Sequence, residues 1–326
     1  MKLGIIGGGA WGTALAQVAA QGGRETLLWA IEDDVVAAVN RIHENPVYLQ
    51  GVKLDPAIRA TGNFSELSGC DAWLVATPAQ HMRAVLAHMP CPDMPLVLCA
   101  KGIEESSGAL LHQVAREVCP TSPVAVLSGP TFADEVARDL PTAVTLAAED
   151  LGLAERLRDR IARPTFRIYV SDDVAGAEIG GAVKNVLAIA CGVVEGRGLG
   201  QNARAALVAR GFAEMRRFGL AYGAKRETLS GLSGLGDLVL TCSSTSSRNY
   251  SLGIGIGQGA PAAELLSNRR TVAEGAFTAP VLARLARERG IDMPIAHAVD
   301  SLISGRATVD KVLDALLSRP PRAEAV

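Results

Sequence analysis

GIIGGGAWGTALA, residues 4–16, is the stretch on which the fold turns. Lys2–Ile6 reads as a short buried strand, and Ala10–Gln21 as a helix ending at Gly22-Gly23. Between them Gly7, Gly9 and Gly12 satisfy GxGxxG. In that motif the first glycine permits a tight turn, the second lets the backbone approach a pyrophosphate, and the third lets helix and strand pack closely. The helix N-terminus supplies N–H donors and a positive dipole end for an anion. GxGxxG alone is weak, but its place between a strand and a helix at the start of a βαβ unit points to a dinucleotide site. The competing reading is a glycine turn with no ligand.

Outward from this loop the alternation continues. Thr26–Ala30, Ala72–Ala76, Leu96–Ala100 and Val124–Leu127 read as strands, and Asp33–Ile42 as a helix. Thr142–Ala147 and Phe166–Val170 add two β-rich pieces. Strands alternating with helices predict a parallel sheet covered on both faces, a doubly wound α/β fold of Rossmann type. Ligands of such folds bind outside the carboxyl ends of the strands. GGGAWG, TPAQH, AKGIE and SGPTF all fall there. After about Ser171 the strand signal fades. A long helix starts near Ser171 or an adjacent Asp, another spans Asn202–Phe218, and more follow from Ala276. The expected organisation is a dinucleotide-binding domain over residues 1–172 and an all-α substrate domain over 173–326.

The chain has 326 residues, with 32 basic and 34 acidic ones for a net charge of −2. That balance lacks the basic footprint of a nucleic-acid binder. Six cysteines form no CxxC pair or zinc spacing, so no metal site is expected, and the thiols read as reduced and cytoplasmic. No long apolar run suggests a membrane span.

Cofactor choice rests on the end of the second strand. Glu32 stands where an acidic residue would bind the adenosine ribose 2′-OH, unless Glu32 and Asp33 simply begin the next helix. Ile31 occupies a position where a basic residue would meet a 2′-phosphate, and no Arg or Lys lies between Arg24 and Arg41. Both points lean towards NAD over NADP.

The helix after residue 171 carries a core stripe of Ile179, Val183, Val186, Ala190 and Val193. Lys184 lies off it, among Ala177, Gly180, Gly181, Ala188 and Cys191. Small neighbours leave room for a ligand beside a lysine that can act as acid or base; a solvated lysine beside a glycine-lined helix contact is the rival. Ser230–Asp237 is a glycine-rich turn ending in a carboxylate, able to orient a substrate or a lysine, or simply to cap. Ser246-Ser247-Arg248-Asn249 opens a helix, either a phosphate site or a plain N-cap. Gly253, Gly255 and Gly257 read as close helix packing. His81 and His112 read as loop or surface histidines.

Together these motifs resemble the bacterial-type NAD(P)-dependent glycerol-3-phosphate dehydrogenases over about residues 2–317. LSGPTFADEVA (127–137) and GLSGLGDLVLTC (231–242) are the most specific matches, joined by ENPVYLQGV (44–52), AKGIE (100–104), GAVKNVLAIACG (181–192), SRN (247–249) and VAEG (272–275). The resemblance implies that Lys184 is the catalytic acid/base and that Asn185 positions substrate. It implies that Lys101 contacts substrate and cofactor, that Gly129 and Thr131 lie on a substrate loop, and that Asp237 orients substrate or lysine. Ser247, Arg248 and Asn249 match a phosphate clamp, with Arg248 also near the cofactor. Gly7, Gly9, Ala10, Trp11, Gly12, Ile31, Ala133, Val272 and Glu274 match cofactor positions. The implied partners are NAD or NADP and a small phosphorylated substrate feeding glycerophospholipid synthesis; a homodimer is compatible. Two departures stand out: many relatives carry Ser in place of Ala10 and a basic residue in place of Ile31. The rival readings are a two-domain hydroxy-acid dehydrogenase and a non-catalytic dinucleotide sensor, for which no output module is visible.

Overall fold

The structure, a computed structural model, describes residues 2–88, 93–267 and 273–320. Eight strands form one sheet: β1 Lys2–Ile6, β2 Glu25–Trp29, β3 Ile58–Thr61, β4 Ala72–Val75, β5 Leu96–Leu98, β6 Val124–Ser128, β7 Thr142–Ala147 and β8 Phe166–Ser171. Their spatial order is β3-β2-β1-β4-β5-β6-β7-β8. The chain steps outward from β1 to β2 and β3, then returns to β4 on the other side. That reversal opens a crevice at the carboxyl ends of β1 and β4.

Two features depart from the sequence expectation. β3 has no long apolar run to announce it, since its IRAT sequence is short and carries an exposed arginine. β7 runs antiparallel to β6, with Leu127 opposite Leu146, so the sheet is not wholly parallel; β8 then pairs parallel to β7. The apolar run of β7 and the alternating pattern of β8, whose Arg167 and Tyr169 are exposed, mark strands but carry no information about their direction.

The remainder, from Val174 onward, is helical. Its centre is the 23-residue Val174–Gly196 helix, capped by Asp173, whose Oδ1 accepts the Gly176 N–H at 2.8 Å. This helix has the length and hydropathy to cross a membrane, yet its most apolar window is entirely buried inside the protein. It is a core helix with no solvent face, so the expected stripe is too narrow. The small residues admit protein backbone. A Cβ on Gly180 would stand 2.3 Å from the Ser233 carbonyl oxygen, and one on Gly192 would stand 2.1 Å from that of Tyr250. Gly253 and Gly257 of the Arg248–Gly257 helix face Gly192 and Gly196 in return, as close helix packing requires.

Because a carbonyl of a rigid helix cannot rotate away, Gly192→Ala is expected to destabilise the protein. Overpacking costs about 3 kcal/mol at the upper end of its usual range, offset by about 1 kcal/mol from replacing a helical glycine. A urea-denaturation midpoint unchanged by the substitution would contradict this backbone contact.

His112 corrects the surface reading. It lies in the Leu111–Val118 helix, 9% exposed, and its Nδ1 sits 2.7 Å from Glu178 Oε2 while its backbone N–H donates to Oε1 at 2.8 Å. This pair ties the sheet's covering helix to the central helix. His81 is exposed, as expected.

Candidate active site

The glycine loop follows β1. Gly7 has φ 116°, a conformation that glycine adopts without strain. A Cβ on Gly12 would stand 1.9 Å from the Gly7 carbonyl oxygen, so the first turn of the Ala10–Gln21 helix closes only on glycine. A Cβ on Gly9, by contrast, would meet nothing within 4 Å. The helix start therefore faces open space, its first N–H groups lack intrahelical acceptors, and no side chain caps it. That cradle fits a pyrophosphate. Ala10 and Trp11 form the first turn, and the Trp11 indole N–H is buried with no acceptor among the described residues.

Around the same crevice Asn45, from the loop before β3, donates to the Gly8 carbonyl at 2.8 Å. Ile31 lies just past β2, 76% exposed. Ala133 opens the Ala133–Ala137 helix and packs against the sheet's core. Glu274 opens the Glu274–Glu288 helix and reaches back to the sheet, where its Oε1 accepts the Ala79 N–H at 3.3 Å. Its Oε2 is buried without a partner among the described residues. Burial pushes this carboxyl up to about 7, against the downward pull of the Ala79 N–H and the Arg248 charge. An orphaned acceptor past the ends of β4 and β5 fits a hydrogen-bonding cofactor group. Val272 lies outside the described residues.

Two lysines converge beyond the glycine loop. Asp237, wholly buried, receives Lys184 Nζ on Oδ1 at 2.7 Å and Lys101 Nζ on Oδ2 at 2.7 Å. Lys184 also donates to Thr241 Oγ1 at 2.8 Å. Lys101, from the segment after β5, donates to the Gly129 carbonyl at 2.9 Å and reaches Thr131 Oγ1 at 3.5 Å. Burial lowers Lys184 to about 8; Asp237 opposes that shift and the Lys101 charge adds to it. The Ser230–Asp237 segment is more ordered than a capped turn: Leu232–Gly236 is a single π-helical turn that delivers Asp237 to the start of a short helix, Asp237–Thr241.

A second line of contacts leads towards the SRN motif. Asn185 Nδ2 donates to the Lys101 carbonyl at 3.4 Å, and its Oδ1 accepts from Asn249 Nδ2 at 3.0 Å. Asn249 Oδ1 in turn accepts the Gly275 N–H at 2.9 Å. Ser247 is the N-cap of the Arg248–Gly257 helix, its Oγ accepting the Tyr250 N–H at 3.2 Å, and Arg248 is exposed at the first position. A ten-residue helix starting with an exposed arginine is suited to a phosphate.

Residues distant in sequence thus meet around Asp237 and along the Asn185–Asn249 line. Sequence reading missed Thr241. Its spacing of four from Asp237 is the one signal available, for on a helix that spacing places both on one face. Its hydroxyl donates to the Asp237 carbonyl at 2.6 Å.

A glycine-loop sheet joined to a helical unit that brings a buried lysine to its crevice defines a class, the nicotinamide-dependent dehydrogenases with a helical substrate domain. Family models described as NAD-dependent glycerol-3-phosphate dehydrogenase N-terminus and C-terminus match residues 2–154 and 173–314. The chain belongs to this family. It is 62% identical to "Glycerol-3-phosphate dehydrogenase [NAD(P)+]" of Erythrobacter litoralis, over 99% of this chain and 98% of that one. It is 60% identical to the protein of the same name from Novosphingobium aromaticivorans, with the same coverage. Among solved structures, glycerol-3-phosphate dehydrogenase from Coxiella burnetii superposes with a TM-score of 0.93 at 37% identity, over 98% of this chain and 99% of that one. D-mandelate dehydrogenase, with a TM-score of 0.65 and 13% identity, shares the fold alone.

Proposed function

We propose that this enzyme interconverts sn-glycerol 3-phosphate and dihydroxyacetone phosphate with NAD(P), through the residues just described. The buried Lys101–Asp237–Lys184 cluster carries the reading, and membership of the dehydrogenase family supports it. The division of labour follows the chain in its main parts, with residues 1–172 holding most of the dinucleotide and residues 173–326 supplying the acid/base and the phosphate end of the substrate site, while Lys101 and Glu274 each reach across to the other part.

Gly7, Gly9, Ala10, Trp11 and Gly12 would hold the pyrophosphate, with Ile31, Ala133 and Glu274 at the periphery of the dinucleotide. The nicotinamide, when bound, supplies or accepts the hydride. Lys184 in its ammonium form stabilises negative charge on the substrate oxygen and donates a proton to it during ketone reduction. In its neutral form it takes the hydroxyl proton during alcohol oxidation. Asp237 and Thr241 aim its Nζ, and Asp237 holds Lys101 beside it. Arg248 with the Ser247 and Asn249 end of its helix holds the phosphate, so binding energy remote from the reacting carbon fixes geometry there. The Asn185–Asn249 pair keeps that helix end in register with Lys101. The same reading has the enzyme cytoplasmic and supplying glycerophospholipid synthesis; the five described cysteines are buried and free of disulfides, which agrees with a reducing compartment.

A pH profile tests the lysine. With Lys184 at about 8, ketone reduction needs the protonated form, so its kcat should be level below pH 8 and fall about tenfold per unit above it. Alcohol oxidation needs the neutral form and should rise to a plateau over the same range. Profiles with no inflection near 8 in either direction would remove Lys184 from the proton transfer.

A further inference from the structure

The Gly200–Ala221 helix follows the buried central helix but is built differently. Its buried residues are Gly211, Glu214, Met215, Phe218 and Gly219, so no residue of its first half is buried. That half is nevertheless apolar. Ala205, Val208, Ala209, Phe212 and Ala213 recur at spacings of three and four, which places them on one face of the helix. Ala205 and Ala209 are exposed, and the other three are half-buried.

Together with Leu235 this face lines a cleft of about 380 Å³. Leu235 belongs to the π-helical turn that delivers Asp237. The cleft thus adjoins the catalytic segment, but Lys101, Lys184, Asp237 and Arg248 do not line it.

Its polar lining is of one sign. Arg210 and Arg216 complete the wall, with no carboxylate beside them. Other arginines of the same helix are engaged elsewhere. Arg204 Nη1 donates to the Tyr250 hydroxyl at 3.0 Å, and Arg217 donates to the Asp292 carbonyl from Nε at 3.0 Å and from Nη2 at 2.8 Å. Glu214, the acid on this helix, has both oxygens taken by the Ile295 and Ala296 N–H groups, at 2.7 and 3.1 Å. Among the described residues Arg210 and Arg216 form no ion pair, and Arg216 Nε is shut off from water with no acceptor. A buried N–H in that position has lost its hydrogen bond to water and gained none in return. A guanidinium fork matches the paired oxygens of a carboxylate or a phosphate. Apolar walls with a few fixed polar groups are the usual make-up of a small-molecule site.

We propose that this cleft binds an amphiphilic organic anion, a carboxylate or phosphate ester. Its head meets Arg210 and Arg216, and its apolar chain lies along the face of residues 205–213 against Phe212 and Leu235. The site is additional to the dehydrogenase site and does not depend on that reading.

The test is calorimetric titration of the full chain with octanoate and with octyl phosphate. Acetate and inorganic phosphate serve as heads without a tail, and octanol as a tail without a charge. Each octyl anion is expected to bind at least about tenfold more tightly than its bare head and than octanol. The tighter of the two identifies the head that the arginines favour. Arg216→Gln removes one charge and should weaken both octyl anions about tenfold while leaving octanol unchanged. Ala209→Phe, at an exposed position, fills the cleft and should abolish binding of all three octyl compounds. Both variants are expected to keep kcat for dihydroxyacetone phosphate within about twofold and to sediment as the unaltered protein does. Octyl anions that bind no more tightly than acetate and phosphate overturn the proposal, and so does binding that neither substitution changes. A change of oligomeric state in either variant, with no octyl anion bound by the unaltered chain, also overturns it and assigns the face to a second copy of the chain.

Discussion

Replacing Lys184 with Met is expected to lower kcat for dihydroxyacetone phosphate reduction by about 10⁴-fold, while the NADH dissociation constant changes by less than about threefold. The size follows from the two roles assigned to one ammonium group: proton donation is worth about 10²–10⁴, and stabilisation of charge on the substrate oxygen about 10²–10³. The two overlap, because one group performs both, so the sum is capped near 10⁴. The substitution removes a charge that is 6% exposed and replaces it with an unbranched side chain of similar length, so the helix packing survives. Asp237 then keeps Lys101 as its partner. Steady-state kinetics and a fluorescence titration on the same preparation make the comparison. Turnover above a tenth of normal in a variant that still binds NADH would remove Lys184 from the chemistry.

Asp237→Asn should have the second largest effect, and on stability as well as rate. One buried carboxylate is the shared ion-pair partner of two lysines. Removing the shared partner of a buried pair costs about 3–5 kcal/mol, because the charges left behind have lost their compensation. Asp237 is also the group that holds the Lys184 pKa up against burial and Lys101. Without it Lys184 loses its proton more readily, so the inflection in ketone reduction should move below 8. The stability deficit should shrink as pH rises, since deprotonating Lys184 removes one of the stranded charges. Chemical denaturation at pH 7 and pH 9, with the pH–rate profile, separates this account from a general packing defect, which would lower stability equally at both pH values and leave the inflection near 8.

The glycine loop and its flanking elements were legible because local chemistry dictates them. The strand Lys2–Ile6, the helix Ala10–Gln21 and the Asp33–Ile42 helix fall where the sequence places them. Each is set by an apolar run or by neighbours within a turn or two. What the sequence hid depends on distance. The antiparallel course of β7 is fixed by its pairing with β6, and a run such as TAVTLA reads the same in either direction. The His112–Glu178 pair joins residues 66 positions apart, so neither residue advertises the other. Lys184 stood out as a charge among small residues, but of those Gly180 admits the backbone of the π-helical turn and Gly181 the Ser128 and Lys101 side chains, while Gly192 and Gly196 further along admit the Arg248–Gly257 helix. The lysine's own surroundings are polar contacts with Asp237 and Thr241. The carboxylate ending its glycine-rich turn marked Asp237 and the family resemblance gave it a role, whereas Thr241 needed the three-dimensional arrangement.

The glycine cradle also shows why fold and chemistry separate. D-mandelate dehydrogenase shares this architecture at 13% identity, so the sheet and helices alone do not choose between a phosphorylated ketone and a 2-keto acid. In the proposed function the choice falls to the exposed Arg248 at a helix N-terminus and to the Asn185–Asn249 link from that terminus to Lys101.

The most direct test of the account follows loss of nicotinamide absorbance when the purified chain is mixed with NADH and dihydroxyacetone phosphate, beside parallel mixtures with dihydroxyacetone and with a 2-keto acid. The account predicts turnover with dihydroxyacetone phosphate, formation of glycerol 3-phosphate in equal amount, and at least about 10³-fold lower kcat/KM for the unphosphorylated ketone. No reduction of dihydroxyacetone phosphate by protein that binds NADH, or preferential reduction of the 2-keto acid, would contradict it.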